Sequence, residues 1–209
     1  MPQSQLGLKV FIASPANLAD ERHAFQEVLD RINRDLAHGD NINFMAAGQE
    51  FALAGMGRAQ ALIDQQVRES DYLVVVLWDK FGSSPGGENQ YSSGTEEEFF
   101  VGLESLSDPD APMKDICVLF KGVAPRQLAD PGANLQRVLD FKNAIEETKG
   151  LLYSTFDTLD EFKDLLRTHF SSWIRDWAGG KDPSKALVDL AHFRKAYGRA
   201  ATDPATVVN

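Results

Sequence analysis

Short apolar runs that alternate with helical stretches predict an α/β fold, with a five-stranded parallel sheet and helices on both faces. Three observations carry this. The runs Tyr72–Trp78 and Ile116–Phe120 are apolar throughout, as strands covered on both sides must be. Between the runs, apolar residues recur at helical spacing, most clearly over 25–36 and 162–174. Strand and helix patterns follow one another along the whole chain, which calls for parallel pairing through right-handed crossovers.

The first strand is read over Leu8–Ala13 and ends at Ser14-Pro15, because proline cannot donate to a sheet ladder. A helix follows from about Asn17, a good N-cap, with Asp20 and Glu21 in the first turn where the helix dipole favours acids. Phe25, Val28, Leu29, Ile32 and Leu36 form its buried stripe, and Gly39-Asp40 stop it. Ile42–Met45 reads as a short second strand. The segment 46–56 is glycine-bearing and has no period, so it is read as a loop. It leads to a helix near Arg58, with Ala61, Leu62, Gln65 and Val67 along one side, that ends at Ser70.

The stretch 71–100 organises the rest. Its strand, bounded by Asp71 and Asp79, runs into a Gly- and Ser-rich loop over 82–94. That loop is long for a strand-to-helix connection, and long loops are often lids or binding loops. Thr95-Glu96-Glu97-Glu98 then opens a helix that carries Phe99, Phe100 and Leu103. Thr95 at the N-cap with Glu98 at the third helical position has the form of a capping box. The same position also faces the crevice where open α/β sheets bind ligands. Three adjacent carboxylates repel one another, and partial burial raises the pKa of one of them.

Ile116–Phe120 is the fourth strand, after a polar loop over 107–114. Residues 125–148 read as helix in pieces, broken at Asp130-Pro131-Gly132 and capped by Gly150. Leu151–Ser154 is the fifth strand. Thr158-Leu159-Asp160-Glu161 forms a capping box for a long helix through Trp177. Gly179-Gly180 end the compact part. Residues 1–180 are therefore read as one α/β domain, and 181–209 as a C-terminal helix (Ala186–Tyr197) with a linker or tail.

The chain has 209 residues and a net charge of -10, which argues against a direct nucleic-acid interface. The single Cys117 excludes an internal disulfide, and no apolar run reaches membrane-spanning length. The N-terminus has no signal-peptide form, so a soluble cytoplasmic protein is expected. His23, His38, His169 and His192 show no ligand spacing, and no metal is expected. No phosphate-loop, dinucleotide-binding or nucleophile-elbow motif is present. The loop Ser14–Asn17 follows the first strand, where backbone N–H groups can hold a phosphate. The rings of Trp78 and Phe81 end the third strand, where they can stack on a base or complete the core.

Three segments, KVFIASPANLADER, SDYLVVVLWDKFG and SGTEEEFF, resemble a TIR-like domain of unknown function that stands at the N-terminus of many bacterial signalling and defence proteins. The resemblance covers roughly residues 8–175. The wider group holds TIR domains and nucleoside 2-deoxyribosyltransferases, so it implies a flavodoxin-like sheet. It also implies cleavage of an N-glycosidic bond, in NAD or a nucleoside, with NAD as substrate rather than cofactor. Gly94-Thr95-Glu96-Glu97-Glu98 matches the Gly-Thr-x-x-Glu motif of the deoxyribosyltransferases and implies Glu98 as the catalytic glutamate. By the same resemblance Phe11, Ala13 and Ser14 border the ribose or phosphates, Trp78 or Phe81 the base, and Thr95 the substrate beside Glu98. The chain carries Gly-Thr where an ordinary TIR domain has Trp-Cys, and its preceding loop is longer. The family further implies self-association or a sensor or NTPase module as partner, with a non-catalytic interaction module as the alternative function.

Overall fold

A computed structural model of the chain describes residues 6–35, 41–48, 59–82, 91–179 and 189–202. Side chains of a strand point alternately to its two faces, so a strand that is apolar at every position needs cover on both. The third strand, β3 (Tyr72–Leu77), shows this directly, with all six residues fully buried. Tyr72, Val74 and Val76 enter one core cluster, and Leu73, Val75 and Leu77 enter the other.

The remaining elements follow in chain order. They are β1 (Leu6–Ala13), α1 (Ala19–Asp35), β2 (Ile42–Ala47) and α2 (Ala59–Arg68) ahead of β3. After it come α3 (Gly94–Ser107), β4 (Asp115–Lys121), α4 (Pro125–Ala129), α5 (Ala133–Thr148), β5 (Tyr153–Phe156), α6 (Leu159–Ala178) and α7 (Leu190–Thr202). The sheet order is β2-β1-β3-β4-β5, parallel throughout, as in flavodoxin-like folds. Helices α1 and α6 cover one face, while α2, α3, α5 and α7 cover the other. The chain places β2 on one side of β1 and β3 on the other. Its crossovers therefore diverge between β1 and β3, at the C-terminal ends of those strands.

Helix α3 lies close on β3. A Cβ on Gly102 would stand 2.3 Å from Leu73 Cδ2, so glycine lets the helix approach the sheet. The sheet lies beneath α3, α2 packs beside it and α7 also touches it. All of its residues except Gly94, Glu104 and Ser107 are buried. Helix α7 docks through Phe193, which is fully buried among Phe99, Phe100 and Phe141. Arg194 adds an ion pair to Glu104 at 2.7 Å and lies over the Phe100 ring.

The element order follows the pattern read from the sequence, with local differences at element ends. The fifth strand is Tyr153–Phe156, two residues later than the apolar pair Leu151-Leu152 suggests. That pair belongs to the turn, where Leu151 is buried and Leu152 is 88% exposed. The cap of α5 is Lys149 rather than Gly150. Lys149 takes the left-handed conformation at φ 52° and donates its N–H to Ile145 O. The C-terminal helix is described over Leu190–Thr202, past the expected end at Tyr197, and Ala186 and Leu187 lie outside the described residues. Of the loop expected over 46–56, Ala46 and Ala47 belong instead to β2, Gly48 follows them and the rest lies outside the described residues. Of the loop expected over 82–94, 82 and 91–93 are described and Gly94 already begins α3.

Replacing Phe193 with alanine should cost about 3–5 kcal/mol, the range for emptying a packed aromatic site. A urea titration should show a lower midpoint with an unchanged slope. An unchanged midpoint would mean that α7 is not part of the cooperative core.

Candidate functional site

The loop that leaves β1 is pinned from inside the fold. Arg22, in the first turns of α1, donates from Nη1 to Pro15 O at 2.9 Å and to Ser14 Oγ at 3.3 Å. Its Nη2 reaches Ala16 O at 3.4 Å. Guanidinium donors are matched there to oxygens that the tight turn after β1 leaves without sheet partners. Asn17 then bridges the crevice, donating from Nδ2 to Asp79 Oδ1 at 2.9 Å, just beyond β3. Gly82 takes φ +124°, a value that favours glycine. A Cβ at Gly82 would lie 3.6 Å from Pro15 Cβ and 3.7 Å from Thr95 Oγ1. The β1 loop, the end of β3 and the start of α3 therefore converge at the switch point.

The N-cap of α3 is Ser93 and not Thr95. Ser93 Oγ accepts from Glu96 N at 3.1 Å and donates to Phe81 O at 3.2 Å. Glu96 reaches back with Oε2 to accept from Ser92 N, and its Oε1 accepts from Tyr197 Oη at 2.7 Å. The capping arrangement thus uses Ser93 and Glu96, a Ser-x-x-Glu pair two residues earlier than the one the sequence suggested. The reason is geometric, since the Ser93 hydroxyl can also tie down Phe81 O, which closes the loop.

This shift releases Glu98 from any capping role. It sits in the second turn of α3, 2% exposed, and its Oε1 has no hydrogen-bond partner among the described residues. Burial pushes its carboxyl well above the ordinary 4.5, with smaller contributions from the negative charges of Asp64 on α2 and Glu97. The side chain is thus held as a neutral acid into the pH range where an exposed glutamate is ionised. Buried, perturbed titratable groups in a cleft are candidates for chemistry.

The other residues singled out from the sequence fall in three places. Ser14 and Thr95 stand at the crevice. Phe11, Ala13 and Phe81 are buried in the cluster beneath it, on the α3 face of the sheet. Trp78 turns to the opposite face, where its Nε1 donates to Gly122 O at 3.0 Å and Lys121 Nζ stands 4.8 Å from its ring. Lys121 also pairs with the buried Glu21 at 2.7 Å. Sequence reasoning passed over Arg22, Asp64 and Tyr197. Only Ser93-x-x-Glu96 carried a local signal, whereas Asp64 and Tyr197 reach α3 through tertiary packing alone.

Among the described residues there is no group of three or more His, Cys, Asp or Glu that could hold a metal. No helix among them is long and apolar enough to cross a membrane. Residues 9–171 match the family model described as Domain of unknown function (DUF4062). No curated protein and no solved structure matches the chain.

Glu98 makes stability depend on pH. The folded state keeps this proton to higher pH than the unfolded chain does. Its favourable contribution is complete below about pH 4.5 and is lost as pH rises through the raised folded value. Glu98→Gln keeps the shape and removes the buried charge. The variant should gain on the order of 1 kcal/mol at about pH 8, or about 2–4 °C in melting temperature, and nothing at about pH 4. Equal melting temperatures at both pH values would mean that Glu98 is not a buried acid.

Proposed function

The chain belongs to the DUF4062 family of domains of unknown function, and on that premise we propose that it is a TIR-like effector domain that cleaves the N-glycosidic bond of NAD in a bacterial signalling or antiphage defence system. The observation that carries this reading is Glu98, a buried carboxyl with an unpartnered oxygen, in the helix that follows β3.

In NAD the nicotinamide is already a cation, so it leaves as a neutral base without taking a proton. The bond between the ribose C1′ and the ring nitrogen breaks, and its electron pair departs with nicotinamide. The ribosyl group passes through an oxocarbenium-like state, and water then bonds to C1′ and gives up a proton. A carboxylate beside C1′ stabilises that cation, and this is the role proposed for Glu98. The positive charge of the bound substrate favours ionisation of Glu98 against its burial. Ser14 and Thr95 are proposed to touch the ribose or phosphates. Phe11, Ala13 and Phe81 are proposed to form the floor, with Phe81 rather than Trp78 proposed to border the base, because Trp78 lies on the other face of the sheet.

The Gly94-Thr95-x-x-Glu98 spacing favours a second reading, a nucleoside deoxyribosyltransferase-like enzyme. A nucleoside base needs a proton as it leaves, and the neutral acid form of Glu98 can supply it.

Purified protein at high concentration should release nicotinamide from NAD. High concentration matters because a site shared between copies forms only in an assembly. Glu98→Gln should lower kcat by at least about 100-fold while the protein remains folded. Full turnover by the variant would remove Glu98 from the mechanism. For NAD, kcat/KM should rise with pH, with its acid limb above the ordinary glutamate range. Release of base from a nucleoside, with the opposite pH slope, would favour the second reading. Silence from both substrates would leave a non-catalytic interaction module that self-associates or docks a sensor.

A further inference from the structure

Glu96 and Glu98 stand two residues apart on α3, about 200° around the helix. They therefore face opposite flanks. Glu98 feels the like charge of Asp64 on α2, and Glu96 points to α7. The carboxyl oxygens of Glu96 tie the first turn of α3 both locally and to a distant element. One of its oxygens accepts from Ser92 N, and the other accepts from Tyr197 Oη at 2.7 Å. The same Tyr197 ring packs at 6.5 Å from Phe81, whose carbonyl receives the Ser93 hydroxyl. The contacts close a ring that runs from the end of β3 through Ser93, Glu96 and Tyr197 back to Phe81.

We propose that Tyr197 is a positioning residue: its hydrogen bond to Glu96 fixes the first turn of α3 and thereby holds the carboxyl of Glu98 in place. The inference rests on the reading of Glu98 given above. Two features support a local role over general docking. Helix α7 is already anchored by Phe193, which is fully buried, and by Arg194 at the far end of α3. The Tyr197 ring packs against Phe81, Phe100 and Phe141, and its hydroxyl in addition supplies the tertiary donor to Glu96, which is itself only 6% exposed. A buried carboxylate oxygen that loses its donor must find water or another partner, and the first turn has to move for that to happen. Helix α7 lies beyond the residues matched by the family model, so this positioning comes from a part of the chain outside that match.

The test compares Tyr197→Phe with Arg194→Gln in the full chain. The first removes only a hydroxyl and keeps the ring in its packing. The second weakens the docking of α7 by removing the guanidinium that donates to Glu104 Oε1 at 2.7 Å and to Tyr91 Oη at 3.3 Å, and it leaves the Tyr197–Glu96 bond intact. Two readouts are taken beside the melting temperature. One is the titration of Glu98 followed by carbon-13 NMR of its labelled carboxyl, which needs no substrate. The other is NAD turnover.

Tyr197→Phe should move the Glu98 midpoint by about one pH unit and lower kcat roughly 10- to 100-fold, with KM within about twofold. Arg194→Gln should lower the melting temperature and leave the Glu98 midpoint in place. An unmoved midpoint in Tyr197→Phe would overturn the proposal. Equal movement in both variants would overturn it as well, since the effect would then be docking alone. If the wild-type chain turns over no NAD, the assigned reaction fails, and the carboxyl titration still decides the positioning.

Discussion

The complete burial of β3 on both faces is the constraint on which the other elements depend. No residue from Tyr72 to Leu77 has accessible surface. A strand in that position requires a parallel neighbour on each side and a helical layer above and below. The layers are supplied by α1 and α6 on one side and by α2, α3, α5 and α7 on the other. Right-handed crossovers then bring α3 off the C-terminal end of β3 and back along its face. The first turns of α3 come to stand where the β1 and β3 connections part. The crevice with its carboxylates is thus a consequence of how the central strand is covered.

The burial of α3 follows from the same geometry and sets the electrostatics of the site. With the sheet beneath it and helices packed beside it, α3 has few positions that reach water. Three successive glutamates placed there are each at most 8% exposed. Desolvating a carboxylate is costly unless donors replace the water it loses. Glu96 has such donors in Ser92 and Tyr197, whereas Glu98 Oε1 has none and faces the like charge of Asp64 instead. The fold therefore separates two chemically identical side chains into one that is hydrogen-bonded on both oxygens and one whose burial raises its pKa. Such an acid lowers stability as pH rises through its raised value.

Helix α7 changes the meaning of the C-terminal region. Phe193 and Ala196 belong to the same buried cluster as Phe99 and Phe141, although they lie beyond the matched family residues. The helix is joined to α3 at both ends, by Tyr197 to Glu96 near the start and by Arg194 to Glu104 near the finish. Events at the end of the described chain are therefore mechanically close to the candidate site.

Much of the fold was legible from residue order alone, because alternation and helical spacing are local properties. The five strands, the order of helices and the capping box at Thr158 and Glu161 were all visible in this way. Glu98 was singled out only through resemblance and position, and its burial without a hydrogen-bond partner at Oε1 was not legible. What the sequence could not show was which glutamate would be paired. Ser93 and Thr95 are both competent caps, and the choice between them depends on where Phe81 O lies after the chain has folded. Lys149 rather than Gly150 takes the left-handed cap, a choice that local propensity points away from. By itself the sequence determined the alternation of strands and helices and the presence of three acids at one helix start, since these are written in neighbouring residues. Only the tertiary structure decided that Glu96 is hydrogen-bonded and Glu98 Oε1 is not, because the donor Tyr197 and the like charge of Asp64 are brought to α3 from distant parts of the chain by packing.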